Sequence, residues 1–466
     1  MSTPSTDPVA RRRLRKRMMV GVAAGLPLLL MAAAFALRAW IGAYLRGEEF
    51  RQFVSRRTGD TLHADAQFAP IQFSGMRAYS DDLVAHGSPQ AGFSKLRIDQ
   101  LRAELSLRRW RERVWQIEHL DAQRVAVELD GSRVTLPQKP AAARQAARSP
   151  AADWLPNRVE IGSASVQEFG LEWGRTTSAP GGLRGTALKL TPQDGGWMIE
   201  GQGGELVHGK LPALELAGLR ALYRPGALFV QQAELRLAPS GTIHLNGEAR
   251  FDDQLDLRAR LAGIPLTPFL SEDWRLRLRG KLGGEVRVQS PLPARGPPLL
   301  AGTLALSEGQ LEALPVLDEI AVFTRLQQYR RVSLSKASAQ FRQEGGQLSV
   351  TDFIAESEGL MRVEGNFNVA GGLIDGAFQV GVTPASLQWL PGSQARVFTE
   401  SRGGYVWAPM RLSGPVGKPA EDLSPRLIAA ARGAVIEKVE TTIRDATQTG
   451  KDVIKGTLDW LIPLGK

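Results

Sequence analysis

The residue types able to carry chemistry are scattered along this chain of 466 residues. His63, His86, His119, His208 and His244 show no HExxH spacing and no close pair, so they read as residues on wet strand faces rather than metal ligands. Gly162-Ser163-Ala164-Ser165 does not complete a nucleophile elbow, because Val166 stands where the closing glycine belongs. Gly201-Gln202-Gly203-Gly204 opens like a dinucleotide fingerprint, but Leu206 takes the third glycine's place and a turn is the plain reading. Asp81-Asp82 and Asp252-Asp253 fall where turns are expected, which makes them solvated carboxylates rather than an acid–base pair. No Walker A sequence exists, and without cysteine there is no disulfide, thiolate ligand or thiol nucleophile. The sequence therefore points away from an enzyme and calls for no cofactor and no metal.

The elements that would have to position any site are strands. Residues 241–261 set the pattern: Ile243, Leu245, Gly247, Ala249 and Phe251 alternate with His244, Asn246, Glu248 and Arg250. After a polar turn, Leu255, Leu257, Ala259 and Leu261 alternate with Asp256, Arg258 and Arg260. Period-two alternation gives a strand with one apolar and one wet face, and two such runs around a short turn give an antiparallel hairpin. Similar runs recur from about Leu96 to Leu412, roughly twenty in all. A continuous ladder of that number is about 90–100 Å long, from the spacing of neighbouring strands.

Charge is distributed unevenly. The formal net charge is +10, yet residues 1–46 hold eight Lys or Arg against Asp7 alone, a local +7. A nucleic-acid binder keeps its basic charge on the folded body, so none is expected as a partner. Here the charge adjoins Met18–Leu37, 20 residues without a charge, long enough to span a bilayer. The expected organisation is a basic cytoplasmic tail (1–17), a transmembrane anchor (18–40) including Val20, Leu28, Leu29, Leu30 and Phe35, and interfacial Trp40 and Tyr44. A cleaved signal peptide ending near Ala34-Phe35-Ala36 is the alternative. Either way the rest is exported, into the periplasm in a bacterium with two membranes. The body divides into 41–136, an Ala/Pro-rich loop or linker at 137–156, a hairpin series at 157–300, a further region at 301–420 and an amphipathic helical tail at 421–466. A helix is expected to end at Gly59, another from Leu314 to about Tyr329, and a third N-capped by Ser424. Trp274, Leu276 and Leu278 read as a strand alternating with Arg275, Arg277 and Arg279.

An apolar sheet face must be covered, because each Å² left in water forgoes about 25 cal/mol. It can pack on a second sheet as an ordinary core, lie under helices, or curl into a trough that holds an apolar ligand.

Beyond this pattern, the chain resembles the AsmA-like family of bacterial envelope proteins, relatives of TamB and YhdP. The resemblance rests on the anchor, a short helix ending Arg57-Thr58-Gly59, the runs FSKLRIDQLRAELSLRRW and IEHLDAQRVAVELDG, the strand–turn–helix GTLALSEGQLEALPVLDEIA, the glycine-punctuated hairpins of residues 337–384, and the closing RLSGPVGKPAEDL. It implies a long curled antiparallel groove, anchored in the inner membrane and projecting into the periplasm, that handles phospholipid in outer-membrane biogenesis. The expected groove lining is Ile243, Leu245, Phe251, Leu255, Leu257, Val363, Phe367, Val369, Phe378, Val380 and Val382. An adaptor that recruits envelope proteins by a sheet edge or its C-terminal helices is the other reading.

Overall fold

Alternating sequence becomes strand from Ala64 onward in the computed structural model, which describes residues 47–106, 108–109, 112–129, 132–133, 158–174, 180–251, 253–292, 297–312, 331–387 and 396–430. The expected tail and anchor (1–40), the 137–156 loop, the helix from Leu314 to Tyr329 and the helical tail past residue 430 lie outside the described residues. Among the described residues no helix is long and apolar enough to cross a membrane. The protein is mainly β, with 24 strands among the described residues. It comprises two units, Met1–Lys210 and Leu211–Lys466, whose boundary falls inside the expected 157–300 hairpin series.

The first unit opens with helix α1 (Glu48–Leu62). The helix runs one turn past Gly59, where the sequence suggested a stop. His63, in the left-handed conformation at φ 51°, ends it by donating its backbone N–H to Gly59 O. Gly59 instead permits close packing, since a Cβ there would stand 2.5 Å from the carbonyl oxygen of Ala64. Strands β1 (Ala64–Phe68) and β2 (Gln72–Ser74) both pair with β3 (Arg77–Gly87), followed by β4 (Lys95–Ser106) and β5 (Val114–Glu128). Asp81 and Asp82 lie inside β3 rather than in a turn, and Asp82 stands 3.6 Å from Arg97.

Strands β6 (Arg158–Ile161) and β7 (Ala164–Trp173) then run parallel to β5. The sheet is thus mixed where an antiparallel one was expected. A parallel neighbour needs a connection of a dozen residues or more, and residues 129–157 supply that length, which a hairpin turn would not. Strand β8 (Gly181–Gln193) follows on β7, and both β9 (Gly196–Gln202) and β10 (Glu205–His208) pair along β8. Gly203 and Gly204, at φ 72° and 98°, are therefore a kink between two segments on one neighbour, not a reversal.

The second unit is a succession of antiparallel neighbours: β11 (Leu214–Arg224), β12 (Ala227–Leu237), β13 (Gly241–Arg250), β14 (Gln254–Pro265), β15 (Leu278–Pro291) and β16 (Leu299–Glu312). Strands β17 (Arg331–Leu334) and β18 (Lys336–Glu344) share the far side of β16, then come β19 (Gln347–Ser357), β20 (Met361–Ala370) and β21 (Leu373–Val382). Strand β23 (Tyr405–Pro415) pairs with β21 and carries the short β22 (Glu400–Arg402) and β24 (Ala420–Glu421). Of the expected strand at 274–279 only Leu278 and Arg279 are strand, and residues 274–277 depart from it. Glu272–Arg275 form one helical turn, α2, behind a 3-10 turn at Thr267–Phe269. Pro265, Pro268 and Ser271 favour turn and helix-start conformations, and six residues of alternation do not outweigh them.

Helical residues 423–430 cover the apolar side of the last strands. Their cap differs from expectation. Glu421 Oε2 accepts from the backbone N–H groups of Leu423 at 2.6 Å and Ser424 at 2.9 Å, so the glutamate takes the role proposed for Ser424.

Replacing Gly59 by Ala tests the packing of α1. Helix propensity alone stabilises such a change by about 1 kcal/mol. The contact with Ala64 O predicts the opposite sign, a lower thermal midpoint, and a raised midpoint would contradict it.

Candidate functional site

Directly opposed residues on neighbouring strands project to the same side, so the register of the second unit defines its faces. Leu219, Ala233, Leu245, Ala259, Val286, Gly302, Phe341, Val350, Phe367, Gly376 and Leu412 oppose one another in turn from β11 to β23. This is an unbroken apolar row, roughly 50 Å across at the usual strand spacing. The adjacent row, Glu234, His244, Arg260, Glu285, Thr303, Gln340 and Thr351, is wholly polar. The alternation read from the sequence is therefore one physical face against another.

Ile243, Leu245, Leu255 and Leu257 lie on the apolar face and are partly exposed, as are Phe367 and Val369, whereas Val363 is partly buried and packs against the closed core of the last strands. Their large neighbours Val286, Val288, Leu300 and Phe341 are also partly exposed. Phe251 is placed differently: it falls in the turn after β13, 44% exposed, with its ring 6.4 Å from that of Tyr223. Val380 and Val382, 4% and 3% exposed, belong to a closed core with Leu387, Val397, Phe398, Val406, Ala408, Leu423, Leu427 and Ala430. No ligand reaches those two valines while this cover is seated. Phe378 is buried within a trio of rings with Phe353 and Phe367, centroids 6.0–6.1 Å apart. The anchor residues Val20, Leu28, Leu29, Leu30, Phe35, Trp40 and Tyr44 lie outside the described residues.

At several glycines in the apolar rows an added Cβ would collide with the neighbouring strand. A Cβ at Gly247 would stand 2.2 Å from Asp256 O, one at Gly284 2.1 Å from Thr303 O, and one at Gly302 2.0 Å from Glu285 O. Register shifts between Val230 and Ala233 and between Leu261 and Ile264 lie in the same region. Bulges of this kind bend a strand and increase its local twist.

The opposite face is a lattice of charges. Arg260 Nη2 meets Glu285 at 2.8 Å, and Arg287 Nε donates to Asp256 Oδ1 at 2.8 Å. That hydrogen bond holds the Asp256 carboxyl below the usual carboxylate range, against the opposing effect of burial. Near β20–β23 lies a cleft of about 710 Å³ whose lining mixes charged residues, among them Asp352, Glu364, Arg411 and Asp422, with apolar ones such as Ile354 and Met410. Its charges are engaged: Glu364 pairs with Arg362 at 2.7 Å and Arg402 at 2.8 Å, and Asp422 accepts from Arg411 N at 2.7 Å.

The structure brings together one pair that the sequence kept apart. His119 Nδ1 and Ser163 Oγ stand 2.7 Å apart across β5 and the β6–β7 junction, and Ser163 Oγ also reaches Glu118 O at 3.3 Å. The nearby carboxylate of Asp121 accepts from Ser165 instead of orienting the histidine, so the pair is a cross-strand polar contact. No sequence signal announces it, because the two residues are joined only by the parallel pairing of β5. Among the described residues no three His, Cys, Asp or Glu side chains stand close enough to share a metal ion.

No family model, no curated protein and no solved structure matches this chain.

Two measurements test the geometry. Leu423, 1% exposed, sits in the closed core, so Leu423→Ala should lower stability by about 2–5 kcal/mol, whereas Leu257→Ala on the partly exposed face should cost clearly less. Equal losses in urea titrations would place Leu257 in an equally closed core. Because the folded-state pKa of Asp256 is depressed, its contribution is present above the unfolded carboxylate range and is lost as pH falls through the folded value. Asp256→Asn should therefore narrow the gap between urea midpoints at neutral and strongly acidic pH. An unchanged gap would show that the Arg287 contact contributes nothing.

Proposed function

We propose that this chain is a membrane-anchored envelope protein of the AsmA-like kind, and that the apolar face of its second unit carries the acyl chains of phospholipid. The observation that carries this reading is the apolar row from β11 to β19, in which Leu219, Leu245, Val286 and Phe341 are partly exposed while Ala233, Ala259 and Val350 are buried. Leu, Val and Phe side chains stand in register there, and the closed core that covers Val380 and Val382 lies at the β20–β23 end. Such a face gains about 0.8 kcal/mol for each methylene it takes out of water. Acyl chains match it because they need no hydrogen bonds from it, and the head group stays in water at the rim. The close backbone approaches at Gly247, Gly284 and Gly302, with the adjacent bulges, support a sheet bent toward that face into a groove. The 20-residue apolar run near the N-terminus supports attachment to the inner membrane, with the body in the periplasm.

An adaptor that recruits partners by strand addition needs an unpaired strand edge. The outer side of β23 pairs with β22 and β24, and between them Asp422 accepts from Arg411 N while Arg426 donates to Pro409 O. On β1, Ser55 Oγ accepts from Phe68 N at 3.2 Å and Arg51 donates to Phe68 O at 3.4 Å. Side chains thus occupy Phe68 N and O, Arg411 N and Pro409 O, four of the backbone groups that an added strand would use.

The test is lipid content. The full chain, extracted gently from membranes, should carry phospholipid measurable by mass spectrometry. A Leu257→Arg, Val286→Arg variant should lose most of it while keeping its circular dichroism and urea midpoint. Retention of the same lipid by the folded variant would exclude this face as the binding surface.

A further inference from the structure

The connection between β14 and β15 departs from the sheet pattern and is not used by the apolar face. It lies at the end of the strands where Ile264, Leu282 and Leu306 close the apolar rows. Within it, Phe269 is 44% exposed and Leu276 is 70% exposed, the highest value for any large apolar side chain among the described residues. Trp274 between them is only partly buried. Arg275 ends the helical turn, where its Nε donates to Leu270 O at 2.9 Å, Arg277 and Arg279 follow it, and Arg275 and Arg279 are exposed. Among the described residues no carboxylate forms an ion pair with any of these three arginines, while Lys281 close by is paired with Glu308 at 2.7 Å. Glu272 and Asp273 stand ahead of the three arginines, which leaves residues 266–279 with a net charge of +1.

Leaving Phe and Leu in water is unfavourable for a segment with no role. Apolar side chains interleaved with arginines, beside a Trp, are the composition of a segment lying at the boundary of head groups and acyl chains. We propose that residues 266–279 dock this end of the second unit on an anionic bilayer. Phe269 and Leu276 enter the interfacial layer, and Arg275, Arg277 and Arg279 meet lipid phosphates. The docked loop holds the adjoining end of the apolar face against the surface from which lipid leaves or enters. That consequence rests on the lipid reading; the docking itself does not.

The absence of cysteine allows one labelled position at a time. Full-length Leu276→Cys and, separately, Phe269→Cys carry an environment-sensitive fluorophore, with Leu373→Cys as the control. Leu373 is also exposed, at 57%, but lies on the β20–β21 hairpin at the opposite end of the strands and close to Asp375. Each labelled chain, held in zwitterionic nanodiscs, is titrated with vesicles rich in phosphatidylglycerol and with phosphatidylcholine vesicles. A blue shift at positions 269 and 276 with the anionic vesicles only, and none at 373, is the expected result. Each Arg→Gln change among the three should weaken the apparent affinity about fivefold. No shift at 269 and 276, an equal shift at 373, or an equal response to both vesicle types overturns the proposal. Phospholipid binding that depends on Leu257 alongside no shift in the loop would leave the lipid reading standing and remove only the docking.

Discussion

Register is the constraint on which the second unit depends. Side chains alternate along a strand, so a slip of one residue against a neighbour would turn every Leu and Val of that strand toward water. The eleven opposed residues from Leu219 to Leu412 show the register held across every pairing in that series. The turns and bulges are the devices that hold it. Where a strand takes an extra residue, as between Leu261 and Ile264, the same side of the next neighbour is still apolar, Leu282. The close approaches at Gly247, Gly284 and Gly302 are a local cost of the same arrangement, since only glycine leaves space for the neighbouring carbonyl.

A sheet built this way has two exposed liabilities, its apolar face and its strand edges. The edges of β1 and β23 are closed by α1, by the short strands β22 and β24, and by Asp422 and Arg426. The described residues close the face over Val380 and Val382, where Leu423, Leu427 and Ala430 pack, and Ala233, Leu235 and Leu237 of β12 are buried too, whereas Leu245, Leu257, Val286 and Phe341 between them stay partly exposed. This difference makes the partly exposed part of the face the natural candidate for contact with an apolar ligand, and it makes the covered valines part of the scaffold.

The strands and the face were legible because period-two alternation reports burial on one side directly. Leu257 beside Arg258 is readable without a structure. Features that depend on contacts distant in sequence were not. The parallel pairing of β5 with β7 puts Ser163 beside His119, and nothing in either local sequence requires it. The same limit explains Val380 and Val382: their pattern matches that of Leu255 and Leu257, and it is the return of residues 423–430 that makes the two valines scaffold. At Gly59 the sequence signal was real but was assigned the wrong cause, because a glycine needed for close packing looks the same as one that ends a helix. At residues 274–277, alternation was present without a neighbouring strand to use it.

The central claim is that the face at Leu257 meets lipid. The most direct measurement places a photocrosslinking residue at position 257 in the full chain in living cells, with position 258, on the wet side of the same strand, as its control. The account predicts phospholipid captured at 257 and not at 258. Capture at neither position, in a folded and functional protein, would make the alternating residues a closed core and contradict the account.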